Sequence, residues 1–350
     1  MWPANFYKIL SFWYLENKRD LPWRKSRNPY YIWLSEIILQ QTRVAQGLPY
    51  FLKFSETFPS VFDLAAAPED KILKLWQGLG YYSRARNLHA AAKMVVDLYN
   101  GEFPKKYKEL IKLKGVGVYT ASAIASFASN EAVAVVDGNV YRVLARIFGI
   151  FTPINSTQGE KEFNELALLL LNTKDAATHN QAIMEFGALH CTPKKPKCDD
   201  CPFQQNCYAF KERAIAELPV KLKKTKVKKR YFTYYIVRCK NELLLHRRGP
   251  KDIWQGLYEF PLVVSENELN TEAATKEFNQ LFGESADGFR LIQKNQKAHK
   301  LSHQHLFASF YEVQLKELPI TNMYQKVCFV EIETFPVSVL ISNFLESYSF

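Results

Sequence analysis

Two carboxylates, a pair of glycines and four cysteines are the residues of this 350-residue chain whose types and spacing could do chemistry. Glu36 lies in Tyr30-Tyr31-Ile32-Trp33-Leu34-Ser35-Glu36-Ile37-Ile38-Leu39-Gln40-Gln41, a stretch apolar nearly all round, and shares a helical face with Ile32, Leu39 and Gln40. Desolvation there raises a carboxyl pKa and holds a proton near neutral pH. The alternative is a glutamate hydrogen-bonded at a helix–helix contact. Asp137 ends the apolar run Val133-Ala134-Val135-Val136, which carries a carboxylate into a cleft rather than onto a solvated face. It also precedes Gly138-Asn139-Val140-Tyr141, a setting in which Asp is a favoured helix N-cap. Gly115 and Gly117 flank Val116, so the turn can adopt positive φ and approach another molecule closely, and the helix after it offers unpaired N–H groups suited to a phosphate.

Cys191, Cys198, Cys201 and Cys207 fall within seventeen residues as C-x6-C-x2-C-x5-C, wrapped by Pro193, Pro196 and Pro202. Thiols so close read as a metal site rather than as disulfides. One close pair with two wider arms suits a four-cysteine iron–sulfur cluster better than structural zinc, which spacing alone leaves open. Cys239 and Cys328 stand apart and read as buried thiols.

The elements that position these groups are helices. Apolar spacing predicts a helix over 5–17, then a loop carrying Trp23 and Arg24, then a buried helix capped by Asn28 with Pro29 at its first position. Further helices are expected at 48–58, 60–66 with Asp63 completing a capping box, 68–77, 83–99, 119–127, 138–148, 159–171 and 178–189. Between two of them Gly78-Leu79-Gly80-Tyr81-Tyr82-Ser83-Arg84 forms a turn bearing aromatics and arginine. Beyond a basic stretch the texture changes: strands at 231–239, 243–248, 257–264, 305–313 and 327–332 and helices at 271–282 and 336–348 predict a separate α+β domain. The boundaries expected are 1–213, a linker at 214–230 and 231–350.

Hydrophobic residues at 47% and aromatic residues at 14% support real cores at this length. The net charge of +11 favours a polyanionic partner. Nine Lys/Arg against two Glu between Lys211 and Arg230 place much of it in a run that by itself reads as a solvated linker. No apolar stretch reaches membrane-spanning length and no leader precedes Phe6, so the expectation is a cytoplasmic, nucleoid-associated protein acting as a monomer.

With these residues in view, the first 210 or so resemble the helix-hairpin-helix DNA glycosylases that carry an iron–sulfur cluster. The match rests on Leu113-Lys114-Gly115-Val116-Gly117-Val118-Tyr119-Thr120-Ala121, on Val136-Asp137 and on the four cysteines in order. The resemblance implies a 4Fe-4S cluster on Cys191, Cys198, Cys201 and Cys207, and it places Asp137 in the active site. In the endonuclease III-like branch a lysine that attacks the sugar follows the Gly-Val-Gly-x; here the residue is Tyr119, which cannot form a Schiff base. Trp33-Leu34-Ser35-Glu36-Ile37-Ile38-Leu39-Gln40-Gln41-Thr42 is similar to the signature of the MutY-type adenine glycosylases, which remove adenine misincorporated opposite 8-oxoguanine and carry a C-terminal Nudix-like domain.

That resemblance implies Glu36 as general acid and Asp137 as stabiliser of, or nucleophile at, the sugar, with Tyr119 and Asn139 positioning them. It implies Trp23, Arg24, Leu39, Gln41, Tyr81, Gln181 and the hairpin Gly115, Val116 and Gly117 at the DNA. The partner is duplex DNA with adenine opposite 8-oxoguanine or guanine. In the C-terminal domain, Ser302 and His303 match a loop that inspects 8-oxoguanine, with Leu301 where the family has an aromatic. The acidic Arg-Glu-x-x-Glu-Glu helix of Nudix hydrolases is replaced by Ala274-Thr275-Lys276-Glu277-Phe278-Asn279-Gln280, so a reader rather than a magnesium-dependent hydrolase is expected. A noncatalytic lesion-binding protein and a bifunctional glycosylase/lyase are the competing readings.

Overall fold

The computed structural model describes residues 2–222, 227–283, 286–295, 297–319 and 322–348, so residues 223–226 of the expected linker lie outside the described residues. The chain divides into two units, residues 1–66 with 87–223, and residues 67–86 with 224–350.

The first unit is all helical: α1 (Trp2–Asn17), α2 (Pro29–Leu39), α3 (Val44–Thr57) and α4 (Val61–Ala66) are followed, past α5 (Glu69–Trp76) of the second unit, by α6 (Ser83–Tyr99), α7 (Tyr107–Leu110), α8 (Val118–Ser129), α9 (Gly138–Phe148), α10 (Thr157–Leu170), α11 (Ala176–Leu189) and α12 (Tyr208–Lys211). Local chemistry sets the starts. The Asn28 side chain accepts the Tyr30 N–H at 3.0 Å with Pro29 in the first turn. Ser60 and Asp63 form the reciprocal capping box expected of them. The core of this unit gathers Phe6, Leu10 and Trp13 of α1, Val140, Val143 and Leu144 of α9, Phe163 of α10 and Phe186 of α11, together with Phe203 from the cysteine loop.

The second unit is a sheet ordered β3-β2-β1-β7-β5, from β1 (Lys228–Cys239), β2 (Glu242–Arg247), β3 (Tyr258–Glu259), β4 (Leu262–Ser265), β5 (Gly288–Lys294), β6 (His299–Lys300), β7 (Gln304–Gln314) and β8 (Gln325–Cys328); β4 pairs with β1, β6 with β7 and β8 with β2. β1 and β7 run parallel. Phe232, Tyr234, Leu306 and Phe310 face a core closed by α14 (Val339–Ser347), while Tyr235, Val237, Tyr311 and Val313 face α13 (Thr271–Phe282).

Several features depart from the sequence reading, among them the strand expected over 327–332, which ends at Cys328 before a 3-10 helix over Phe329–Thr334. The strand expected over 257–264 is cut at Pro261, whose carbonyl instead accepts the Tyr235 N–H at 2.9 Å. β5 was not anticipated, because its half-exposed residues do not alternate cleanly. Residues 67–86, placed by sequence in the helical domain 1–213, pack with the second unit: Arg247 bridges Glu69 at 3.1 Å and Asp70 at 2.9 Å, and Gln77 Nε2 donates to Ser342 Oγ at 3.1 Å. An acidic first turn on an amphipathic helix does not say which core the helix covers.

Candidate active site

A cleft of about 930 Å³ in the first unit is lined by Trp23, Arg24, Glu36, Leu39, Gln41, Tyr119, Asp137, Asn139, Gln181 and Glu185, among others. It is built where α2, the starts of α8 and α9, and α11 meet. Glu36 is only 8% exposed, and Tyr119 donates its hydroxyl to Oε2 at 2.8 Å. Burial, reinforced by the charge of Asp137, pushes the Glu36 carboxyl up to about 7, against the Tyr119 hydrogen bond and Arg24. Burial and the two carboxylates raise the Tyr119 phenol well above its ordinary range, so it is a standing donor.

Asp137 is the N-cap of α9 and a cleft residue at once. Its Oδ1 accepts the Asn139 and Val140 amides, each at 2.8 Å, and its Oδ2 accepts Asn139 Nδ2 at 2.7 Å. Burial raises its pKa, and the Val140 amide, the two Asn139 donors and Arg142 hold that rise down. Arg142 in turn donates to Asn139 Oδ1 at 2.8 Å, to the Gly187 carbonyl at 2.6 Å and to the Cys191 carbonyl at 2.7 Å. A Cβ on Gly187 would lie 2.7 Å from Asn139 Cβ, so glycine is what lets α11 approach α9 here.

The floor is charged. Glu185 is 1% exposed and accepts Arg19 Nε at 2.7 Å, Arg19 Nη2 at 2.6 Å and Arg24 Nη2 at 2.9 Å. Burial alone would raise its pKa; the hydrogen bonds from Arg19 and then Arg24 overcome it and pull the carboxyl down to about 2. Gln181 Oε1 accepts the Tyr14 hydroxyl at 2.8 Å. Trp23 is buried with its ring edge-on to Phe51 at 5.1 Å. Gln41 is exposed at the rim in the left-handed region, φ +55°.

In the hairpin Gly115 has φ +73°, and Asn87 lies 2.6 Å from where its Cβ would be. Val116 holds the turn from within, its side chain buried and its N–H bonded to the Leu113 carbonyl at 3.1 Å. Gly117 caps α8 without a side-chain bond, and nothing lies within 4 Å of a Cβ there, which leaves the amide end of the helix open. Tyr81 belongs to the second unit and is not part of the cleft lining. It is 47% exposed with the Arg84 guanidinium 5.5 Å from its ring.

Cys191, Cys201 and Cys207 pack against the core of the helical unit. Burial, and after it the charges of Cys191, Cys207 and Cys198, push the Cys201 thiol up to about 12, against a hydrogen bond from the Phe203 amide. Thiols that raise one another in this way are ionised together only by a cationic group shared among them. Among the described residues no three His, Cys, Asp or Glu side chains gather tightly enough for a single metal ion. The four thiols act on one another electrostatically, and an all-cysteine donor set of this kind fits a cube-shaped iron–sulfur cluster. Arg146 ties the loop to α9 through the carbonyls of Thr192 at 2.8 Å and Pro193 at 3.0 Å.

In the second unit Ser302 and His303 are exposed. Gln304 Nε2 lies 2.8 Å from His303 Nε2, and Ser302 Oγ lies 3.2 Å from His303 Nδ1. With the Gln304 amide donating, Nδ1–H donates to Ser302 Oγ and the serine hydroxyl hydrogen is left for a ligand. Leu301 packs against the sheet core.

Sequence reasoning missed Glu185 and Arg142. Glu185 carries the same signal as Glu36, an acid between Met184 and Phe186 on a buried helix; Arg142 carries none, because its partners are mostly backbone carbonyls.

Fold and site together define a helix-hairpin-helix base-excision repair protein: residues 34–167 match the HhH-GPD superfamily of base excision DNA repair proteins, residues 191–207 the iron–sulfur binding domain of endonuclease III and residues 233–347 the NUDIX domain. An adenine DNA glycosylase of Buchnera aphidicola (subsp. Baizongia pistaciae) is 35% identical over 335 residues, covering 92% of this chain and 89% of the relative. That of the subspecies from Schizaphis graminum is 37% identical over 253 residues, 72% of this chain and 73% of the relative. A solved thermostable thymine-DNA glycosylase is 31% identical and superposes with a TM-score of 0.56 over 60% of this chain and 97% of its own. The chain belongs to the adenine DNA glycosylase family, and its four loop cysteines hold a 4Fe-4S cluster.

Proposed function

We propose that this chain is a monofunctional glycosylase that hydrolyses the N-glycosidic bond of adenine opposite 8-oxoguanine or guanine in duplex DNA. The observation that carries the reading is the buried Glu36, bonded to Tyr119 and sharing one cleft with Asp137. An adenine inside a duplex is out of reach, so the base is flipped into the cleft while the open end of α8 grips a phosphate. Glu36, whose pKa near 7 keeps much of it protonated at neutral pH, gives its proton to adenine N7, so that adenine departs as a neutral base. Asp137, whose burial-raised pKa three donors hold down, stabilises as its carboxylate the positive charge that develops on the sugar or bonds briefly to its anomeric carbon. Water adds its hydroxyl there, displacing Asp137 where it has bonded and returning its proton to the Glu36 carboxylate, and the products are free adenine and an abasic site. Tyr119 and Asn139 fix the two carboxyls. Trp23, Arg24 and Gln181 line the base pocket, while Gln41 and Tyr81 fill or wedge the gap left in the duplex. Outside the cleft, Ser302, oriented by His303, reads the oxidised guanine.

Single-turnover base release tests this. Duplexes carrying adenine opposite 8-oxoguanine, guanine or thymine, and thymine opposite guanine, are offered separately. Rapid adenine release from the first two and little from the others is expected; equal release from the adenine–thymine pair, or preferential release of thymine, would refute the assignment.

A further inference from the structure

The strand that leads away from the Ser302–His303 loop carries a charge pattern that the reading above does not use. β1 and β7 lie in register with Lys229 beside His305 and Tyr231 beside Phe307, and β6 places Lys300 on the other side of His305. Directly paired residues share a face of the sheet. Phe232, Leu306 and Ala308 of the same strands point into the core closed by α14, so Lys229, Tyr231, His305 and Phe307 point the opposite way. The Tyr231 and Phe307 rings confirm the placement by stacking with centroids 5.1 Å apart. Farther along this second face, Ala274 and Phe278 of α13 cover Tyr235 and Tyr311. Its near half is open, and Lys229 and Lys300 are exposed on it.

Basic side chains abreast on neighbouring strands destabilise a sheet, and several other cations of this region avoid that cost by pairing. Arg230 bridges Asp252 at 2.8 Å, Arg248 bridges Glu259 at 2.7 Å, and Lys294 is paired with Glu268. Lys229, His305 and Lys300 have no ion pair or side-chain hydrogen bond among the described residues. Lys228, Lys229 and His303 also border a hollow of about 430 Å³, into which one acid, Glu266, enters.

We propose that this open half of the sheet is a contact for the sugar–phosphate backbone of duplex DNA, with Lys229 and Lys300 each taking a phosphate oxygen and His305 between them as a hydrogen-bond donor. Two inter-strand steps put the lysine stems about 10 Å apart, a span that their flexible chains adjust to two phosphates of one strand. The phosphates so held convert the repulsion along the row into attraction. The proposal rests on duplex binding by this chain and is independent of the base-reading role given to Ser302.

The test uses the full-length cluster-containing protein, a duplex with a non-hydrolysable adenosine analogue opposite 8-oxoguanine, and a fourfold range of potassium chloride. For Lys229→Ala/Lys300→Ala, log Kobs against log[salt] should be shallower than wild type by about 1.8, so that wild type loses about twelvefold more affinity across the range. Lys300→Gln alone should give half that change in slope, and Lys229→Arg/Lys300→Arg should keep the wild-type slope. The rate at saturating DNA and the preference for 8-oxoguanine over guanine should not change, and the thermal midpoint should hold or rise as the repulsion is relieved. A double variant with the wild-type slope overturns the proposal, as does a fall in midpoint with no change in slope. A wild-type protein indifferent to 8-oxoguanine would instead refute the reader role and leave the slope comparison standing.

Discussion

Removing the Tyr119 hydroxyl, while keeping its ring, probes the chemistry of Glu36 without deleting the carboxyl. The hydroxyl donates to Oε2 at 2.8 Å and lowers a pKa that burial has pushed up to about 7. A hydrogen bond to a charged group is worth about 1.5–3 kcal/mol, and 1.36 kcal/mol corresponds to about one pH unit, so Tyr119→Phe should raise the Glu36 pKa by about one to two. The general acid proposed here is active when protonated, so a higher pKa should extend activity toward alkali. In single-turnover adenine release between pH 6 and 9.5, the wild-type rate should fall about tenfold per unit above roughly pH 7, and the variant should begin that fall at least about one unit later. A limb that stays in place or moves toward acid would refute the argument, because it would mean that the limb does not report Glu36 or that the hydroxyl favours its neutral form. The same burial carries a linked cost in stability. The folded state keeps a proton between pH 4.5 and about 7 that the unfolded chain has released, so stability falls with rising pH across that window by about 3 kcal/mol and stays reduced above it. Glu36→Gln removes the cost, and its thermal midpoint should gain on wild type from pH 5 to 7.5.

Asp137→Asn should lower the single-turnover rate by about a hundredfold to a thousandfold with duplex affinity little changed, since it removes charge stabilisation and leaves the hairpin intact; gel-shift affinity measured beside the rate separates the two. Borohydride added during turnover should trap little enzyme–DNA adduct, because Tyr119 occupies the position a Schiff-base lysine would need, and efficient trapping would show another amine at work. Glu185→Ala should lower the thermal midpoint at pH 7 by the equivalent of about 2 kcal/mol, leaving Arg19 and Arg24 without their shared partner; as a depressed carboxyl, Glu185 contributes above pH 4.5 and loses its contribution as pH falls toward 2. Ser302→Ala should cut the preference for 8-oxoguanine over guanine by about tenfold with the rate on the guanine mispair unchanged, and His303→Ala should act through the same hydroxyl and add little to it.

What could be read from the sequence is what needs only near neighbours. The Asn28 cap, the Ser60–Asp63 box and α13 over 271–282 form as expected, because a cap or an apolar stripe is complete within a few residues. Glu36 was legible because an acid on a helix with no polar face has few places to be. The long-range choices were not. Arg142 and Arg146 serve carbonyls 45 or more residues away, such as Gly187, Thr192 and Ile215, and no side-chain type announces a carbonyl partner. The helix over 69–76 is amphipathic in either unit, and Arg247, which claims its acidic turn, stands 177 residues beyond Asp70. Asp137 shows how local and chemical readings can coincide. The residue is both the cap of α9 and part of the cleft lining. The two amides it caps are, with the Asn139 side chain and Arg142, the groups that hold down the pKa that burial raises. A carboxylate sunk in an apolar wall without a helix start beneath it would take up a proton and lose the charge that the developing cation requires. Capping therefore suits this residue to the role proposed for it, because the amides that start α9 are among the donors that hold down its pKa within the cleft.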